Sequence, residues 1–187
     1  RADENGMALR REWLDLDDLV GAEVGRVRAL GIARVHSRIV PIRTMGDYGA
    51  LVRALRNLTD NAVCHTDSAI WLTMRADGER AIITVADDGP GVAPEFRARI
   101  FERFARLDTD RREQGGAGLG LAIVVEIARA HGGEVRVTDS DTGGAAFVLT
   151  VPILPAEPVS SQDAQWEPAS DVTRYPKPGA PQTSDSR

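Results

Sequence analysis

Two asparagines four residues apart are the first candidates for chemistry in this 187-residue sequence. Asn57 and Asn61 lie in the segment Asn57-Leu-Thr-Asp-Asn61, and helical spacing would place both carboxamides on one face of a helix. Carboxamide oxygens are hard ligands that suit a magnesium ion which also holds phosphate oxygens. Such a pair is more often an ordinary polar helix face, so it predicts a magnesium site only together with other features.

Two glycine-containing segments are the other candidates. In Asp87-Asp-Gly89-Pro-Gly91, an aspartate at the end of a strand can accept a hydrogen bond from an exocyclic amine, and glycines let the backbone approach a ligand. The segment Gly116-Ala-Gly118-Leu-Gly120 opens a helix, whose N–H groups and dipole attract anions. It is neither a Rossmann fingerprint nor a Walker A loop, because no Lys-Ser/Thr follows. Each segment alone is also typical of a turn or a loop.

Hydrophobic periodicity predicts the elements that position these clusters. Asp47 is expected to cap a helix that ends near His65, and its buried stripe is Leu51, Leu55, Leu58 and Ala62. The other predicted elements are strands at 12–16, 33–40, 69–75, 80–86, 134–139 and 145–151, a helix capped by Asp17 that ends near Leu30, a short helix at 94–100 and a helix at 119–131. This order predicts an α+β fold, a two-layer sandwich in which helices cover one face of a mixed, mostly antiparallel sheet.

Composition limits the class of protein. Seven of the ten prolines follow Val151, and residues 154–187 are too polar to bury a core, so we expect a disordered tail there and a folded domain over 12–153. The net charge of −5 and a pI of about 5.3 argue against a general nucleic-acid binder. No apolar run approaches the roughly 20 residues of a membrane span. A single cysteine, Cys64, excludes a disulfide framework and a multi-cysteine zinc site.

In their order along the chain, the clusters resemble the nucleotide-binding motifs of the ATP-binding catalytic domain of bacterial sensor histidine kinases. Residues 57–66 look like the N box, 87–91 the G1 box, 101–104 the F box and 116–120 the G2 box. His131-Gly-Gly133 and residues 143–147 complete the pattern. The resemblance covers about 12–153 and implies the Bergerat fold shared with gyrase-, Hsp90- and MutL-type ATPases.

The resemblance also implies roles for individual residues in binding ATP and magnesium. Asp87 would bind the adenine amine, and His65 would pack on the adenine ring. Asn61 would hold Mg²⁺, with Asn57 beside it as a second ligand. The remaining implied ATP contacts are Gly89, Gly91, Phe104, Arg106, Gly116, Gly118, Leu119 and Gly120. Residues 102–116 would form a lid over the nucleotide.

One position favours phosphoryl transfer over hydrolysis. In ATPases of this superfamily, a glutamate four residues before the magnesium asparagine activates water. This chain has Asn57 there, and a carboxamide cannot act as a general base at neutral pH. The resemblance therefore places Asn57 at the catalytic position of a kinase.

The phosphorylated histidine of such kinases lies on a helical hairpin before the catalytic domain. None of His36, His65 and His131 has the expected sequence context, so we expect this chain to be the catalytic part alone, with residues 1–11 as a linker from the hairpin. His131 is expected at a helix C-terminus, where a partial positive charge suits the dipole. The implied partners are a dimerisation domain, on the same or another chain, and a response regulator. We expect a monomeric domain without membrane contact, at the cytoplasmic end of a membrane-anchored sensor.

Two departures from the family pattern keep alternatives open. Cys64 replaces the usual Lys or Arg of the N box, and Ala145 replaces a threonine near the adenine. The arginines that can supply a compensating phosphate contact are Arg103, Arg106, Arg111 and Arg112. The alternatives are a degenerate module that uses the fold for partner recognition and a serine kinase of the anti-sigma-factor type.

Overall fold

The longest helix carries the two candidate asparagines, and its bounds follow from local signals. In this computed structural model, which describes residues 9–105 and 118–153, helix α2 spans Tyr48–His65. The Asp47 carboxylate accepts a hydrogen bond from the backbone N–H of Ala50 at 2.9 Å, which confirms the predicted N-cap. The predicted stripe of Leu51, Leu55, Leu58 and Ala62 is buried throughout.

A five-stranded sheet forms the layer beneath α2. Its strands are β2 (Arg34–Arg38), β4 (Ala69–Asp77), β5 (Arg80–Asp87), β6 (Glu134–Asp139) and β7 (Ala145–Pro152). They lie in the order β2-β4-β5-β7-β6, with β2 and β4 parallel and all other neighbours antiparallel. The remaining helices are α1 (Leu16–Leu30) and α3 (Gly120–Ala130), and two 3-10 turns lie at Pro94–Phe96 and Arg99–Phe101. The α+β sandwich with a mostly antiparallel sheet is confirmed.

One hydrophobic core joins the three helices to the sheet. Its fully buried members include Leu58 of α2, Ile127 of α3, Leu72 of β4, Ile83 of β5 and Phe147 of β7. The register pairs Ile70 of β4 with Asp87 of β5. The core therefore fixes the end of β5, where Asp87 lies, against the layer that carries Asn57 and Asn61.

The start of the domain differs from the sequence prediction. Strand β1 (Glu12–Asp15) pairs antiparallel with β3 (Arg43–Gly46) in a separate two-stranded sheet, so the expectation of one sheet was wrong. The strand β3 was missed, because four residues that include Arg43 and Gly46 have little strand propensity.

Two helix predictions need correction. The N-cap position of α1 is Asp15, and Asp17 lies inside the first turn, where its carboxylate accepts a hydrogen bond from the backbone N–H of Ile42 at 3.2 Å. The predicted helix at 94–100 is the pair of 3-10 turns instead, which start at Pro94. Among the described residues, no helix combines the length and the hydrophobicity that a membrane crossing requires.

The predicted linker and tail fall largely outside the described residues. Of the linker, Arg10 donates its backbone N–H to the Asp47 carboxylate at 2.8 Å, and the Arg11 guanidinium donates to the carbonyl of Ala130 at 3.0 Å. The tail prediction for 154–187 lies entirely beyond them.

Candidate nucleotide-binding site

Asp87 is buried at the end of β5, and one of its carboxylate oxygens has no hydrogen-bond partner among the described residues. Only 1% of its surface is exposed. Its Oδ1 accepts hydrogen bonds from the backbone N–H groups of Gly89 at 2.9 Å and Ala145 at 3.2 Å. Its Oδ2 is buried and has no partner in the described part of the chain. A buried acceptor without a donor is costly, so this oxygen is suited to receive a donor from a ligand.

The electrostatics of Asp87 follow from the same environment. Burial raises the pKa of its carboxyl above the ordinary value, and the two backbone N–H groups partly oppose that rise. The carboxylate is thus held by its backbone bonds in one orientation, with Oδ2 turned to the site.

Glycines near Asp87 are required by close packing. A Cβ on Gly89 would lie 2.0 Å from the carbonyl oxygen of His65, and one on Gly144 would lie 2.3 Å from that of Asp87. Gly91 has φ of 72°, a conformation that other residues rarely adopt. The structure therefore brings the predicted residues Gly89, Gly91 and His65 together with Asp87, and it places Gly144, from the predicted motif at 143–147, against the same residue.

Asp88, which the sequence analysis missed, has a structural role, unlike the neighbouring Asp87. Its Oδ1 accepts hydrogen bonds from the Thr66 hydroxyl at 2.7 Å and from the backbone N–H groups of residues 67, 68 and 69. Its Oδ2 accepts from the Ser68 hydroxyl at 2.6 Å. These donors hold the pKa of Asp88 far below its usual range. The carboxylate links the end of α2 to the end of β5 by hydrogen bonds. The donors in the segment Thr66-Asp-Ser68 could have indicated from the sequence that a carboxylate binds there.

Asn57 lies where α2 meets the start of α3. Its Nδ2 is buried and has no partner among the described residues, and its Oδ1 lies 3.4 Å from where a Cβ on Gly120 would be. Asn61 is partly exposed one turn later on α2. Two carboxamides beside a helix N-terminus form a donor set of hard oxygens, which fits a magnesium ion shared with phosphates. Among the described residues there is no cluster of three His, Cys, Asp or Glu side chains that would compete for the metal.

The described start of the predicted lid lies against Gly118, the first described residue after it. Gly118 has φ of 69°, and its carbonyl accepts a hydrogen bond from the N–H of Phe104 at 3.0 Å. Phe104 itself has φ of 64°, a strained value for a residue with a side chain, and is 71% exposed. Leu119 lies at the N-cap position of α3. The predicted contacts Arg106 and Gly116, with Arg111 and Arg112, lie outside the described residues.

The structure also shows where the residues that depart from the family pattern lie, together with one of the arginines that could compensate for them. Ala145 supplies its backbone N–H to Asp87, so its side chain is not needed for that bond. Cys64 is exposed near the end of α2. Arg103 lines a separate cavity of about 670 Å³ beside α3, with Phe101, Val125 and Arg129, and neither Asp87 nor either asparagine borders that cavity. The chemistry of the unpaired buried atoms, and not cavity size, therefore identifies the candidate site.

A family described as histidine kinase-, DNA gyrase B-, and HSP90-like ATPases matches residues 46–155. The chain belongs to this family. Among curated relatives of this ATPase family, the sensor protein RstB of Escherichia coli is 46% identical over 124 residues, which cover 62% of this chain and 29% of RstB. The sensor-like histidine kinase SenX3 of Mycobacterium tuberculosis is 43% identical over 148 residues, which cover 75% of this chain and 36% of SenX3. The chain thus spans about a third of these relatives.

Solved structures of histidine kinases have the same fold. The mycobacterial sensor histidine kinase MprB has a TM-score of 0.68 at 30% identity, and the match covers 78% of this chain and 99% of that one. Full-length ShkA in complex with AMPPNP has a TM-score of 0.70 at 34% identity, over 81% of this chain and 33% of that one. This ATPase domain is therefore of the sensor histidine kinase type, and these relatives favour that reading over a serine kinase.

Proposed function

We propose that this histidine-kinase-like ATPase domain binds Mg-ATP and donates the γ-phosphate to a histidine on a separate dimerisation domain. The phosphate would then pass to an aspartate of a response regulator. The observation that carries the proposal is the buried, unpaired Oδ2 of Asp87 at the end of β5. The AMPPNP complex of ShkA supports a nucleotide as the ligand.

Asp87 would recognise the adenine ring. Its Oδ1 is occupied by the two backbone donors, which leaves Oδ2 to accept the exocyclic amine. Gly89 and Gly91 would let the backbone run close to the base, and His65 would pack on the ring from the end of α2. A buried acceptor that only an amine satisfies gives selectivity, because a base with an acceptor at that position would leave Oδ2 unpaired.

The other end of the site would hold the phosphates. Gly118, Leu119 and Gly120 lie at the N-terminus of α3, where N–H groups attract anions. Arg106 and Gly116 are proposed as further contacts from the lid, and Phe104 as a contact at its base. When bound by Asn61 and Asn57, a magnesium ion would neutralise phosphate charge. Neither asparagine can take a proton from water, so ATP is protected from hydrolysis until the acceptor arrives.

The proposed partners supply the groups that this domain lacks. A dimerisation domain, on the same or another chain, would supply the attacking imidazole, and this domain would supply ATP in the correct orientation. We expect the isolated domain to be monomeric and to work at the cytoplasmic end of a membrane-anchored sensor.

The chemical class of the transferred phosphate tests the proposal. The full chain is incubated with magnesium and γ-labelled ATP, together with a panel of helical hairpins that each carry one histidine, and the labelled bond is tested in acid and in base. We expect an acid-labile, base-stable label, which is the signature of phosphohistidine. The Asn61→Ala variant should lose the transfer, and Arg53→Ala, an exposed change on the same helix, should keep it. An acid-stable label would favour a serine kinase, and bound ATP without transfer would favour a partner-recognition module.

A further inference from the structure

The function proposed above does not use His131, although this residue is buried and both of its ring nitrogens are engaged. Only 7% of its surface is exposed at the end of α3. Its Nε2 accepts a hydrogen bond from the backbone N–H of Asp47 at 3.0 Å, and its Nδ1 lies 2.8 Å from the carbonyl oxygen of Ile127. In this arrangement the Nε2 accepts from the Asp47 N–H and the Nδ1 faces the Ile127 carbonyl. The expected position of His131 at a helix C-terminus is confirmed, and the partial positive charge expected there stays a prediction.

The partner of His131 is itself rigidly held. The Asp47 carboxylate accepts from Ala50 through one oxygen and from Arg10 through the other. A Cβ on the preceding Gly46 would lie 3.1 Å from the Cδ2 of His131 and 3.0 Å from the Leu51 side chain, so a larger residue at 46 would push against the ring. The His131 ring is thus fitted against the turn that begins α2.

The same two helices meet again at the candidate site. At the other end of α3, Gly120 lies against Asn57 of α2. At 1.5 Å per residue, the step from Gly120 to His131 rises about 16.5 Å, and the step from Asp47 to Asn57 about 15 Å. The two helices therefore run antiparallel, and the two contacts lie at matching distances along them.

We propose that His131 is a positioning residue, whose bond to Asp47 sets how far α3 lies along α2. Apolar contacts of Val124 and Ile127 hold α3 in the core, but such contacts are not directional, whereas the hydrogen bond fixes one axial position. That position decides where the N–H groups at Leu119 and Gly120 stand relative to Asn57 and Asn61. An error of about 1 Å in such a placement can cost roughly 100-fold in rate.

This inference rests on the proposed function, and its test separates the phosphate end of the site from the adenine end. The full chain is titrated with Mg-ATP by calorimetry and with adenosine by NMR. We expect His131→Leu to weaken Mg-ATP binding at least tenfold and to change adenosine binding less than twofold. His131→Gln should stay within threefold of wild type for both ligands, because its amide oxygen can accept from Asp47.

The controls make each outcome decisive. His36 is exposed and stacks on Trp71, and the variant His36→Leu should change the binding of neither ligand. Should His131→Leu fail to fold, Gly46→Ala, which pushes on the ring, should give the same selective loss of Mg-ATP. Unchanged Mg-ATP binding, or an equal loss of both ligands, would overturn the positioning role. Absence of Mg-ATP binding in wild type would instead overturn the proposed function itself.

Discussion

The orientation of Asp87 leads to a specific prediction about the Asp87→Asn variant. Oδ1 of the native carboxylate accepts from the N–H groups of Gly89 and Ala145, and an amide can satisfy both only with its oxygen. The amide nitrogen of the variant must then occupy the place of Oδ2, the atom that has no partner in the described chain. The variant therefore presents a donor where the native protein presents an acceptor.

The size of the effect follows from the bond that is lost. A hydrogen bond to a charged group contributes about 1.5–3 kcal/mol, which corresponds to roughly 10- to 140-fold in the dissociation constant for ATP. Inosine triphosphate has a carbonyl in place of the amine, so it would face an acceptor in the native protein and a donor in the variant. We expect the native protein to prefer ATP and Asp87→Asn to lose or reverse that preference.

Calorimetric titrations of both nucleotides with magnesium measure this preference directly. Asp77→Asn, a change in an exposed ion pair with Arg75 on the β4–β5 hairpin, is the matched control and should behave as wild type. Because burial raises the pKa of Asp87, the preference of the native protein for ATP should also shrink on acidification, at a higher pH than an exposed aspartate would require. If Asp87→Asn weakened the binding of both nucleotides equally, or changed neither affinity, base recognition by Asp87 would be refuted.

Three further predictions concern other parts of the site. Because the folded state lowers the pKa of Asp88, its carboxylate stabilises the fold above about pH 5 and this contribution shrinks as the pH falls below the unfolded value of about 3.9. In urea denaturation, Asp88→Asn should thus cost about 1–2 kcal/mol at pH 7 and less at pH 3, and a constant difference would contradict this. Gly144→Ala would place a methyl group 2.3 Å from a backbone oxygen, so ATP binding and the melting temperature should both fall, whereas Gly21→Ala, with open space around it, should lower neither. Asn57→Glu restores a general base and should raise ATP hydrolysis without an acceptor at least tenfold in a phosphate-release assay, whereas Asn57→Gln should not.

Local signals in the sequence predicted the elements that carry the site. The cap at Asp47 and the apolar stripe of α2 each lie within one helix, and they placed Asn57 and Asn61 correctly on it. The strand that ends at Asp87 was also predicted, because it combines alternating burial with a following Asp-Gly turn. Short-range periodicity was sufficient for these elements.

Contacts between distant residues could not be predicted in the same way. Asp87 is held by Ala145, 58 residues later, and Asp47 by His131, 84 residues later. Strand β3 exists because β1 pairs with it, and its own four residues carry little propensity. A single sequence does not record which distant donor meets which acceptor, so the fixed orientation of Asp87 and the engagement of His131 required the three-dimensional structure.

We infer that this domain holds Mg-ATP between Asp87 and the two asparagines of α2. Mg-ATP binding to the chain 1–187 is measured by calorimetric titration, and a second titration is made in EDTA. We predict a dissociation constant between micromolar and sub-millimolar, which rises at least tenfold when magnesium is removed. No heat at millimolar ATP, from protein shown to be folded by circular dichroism, would rule out this nucleotide site.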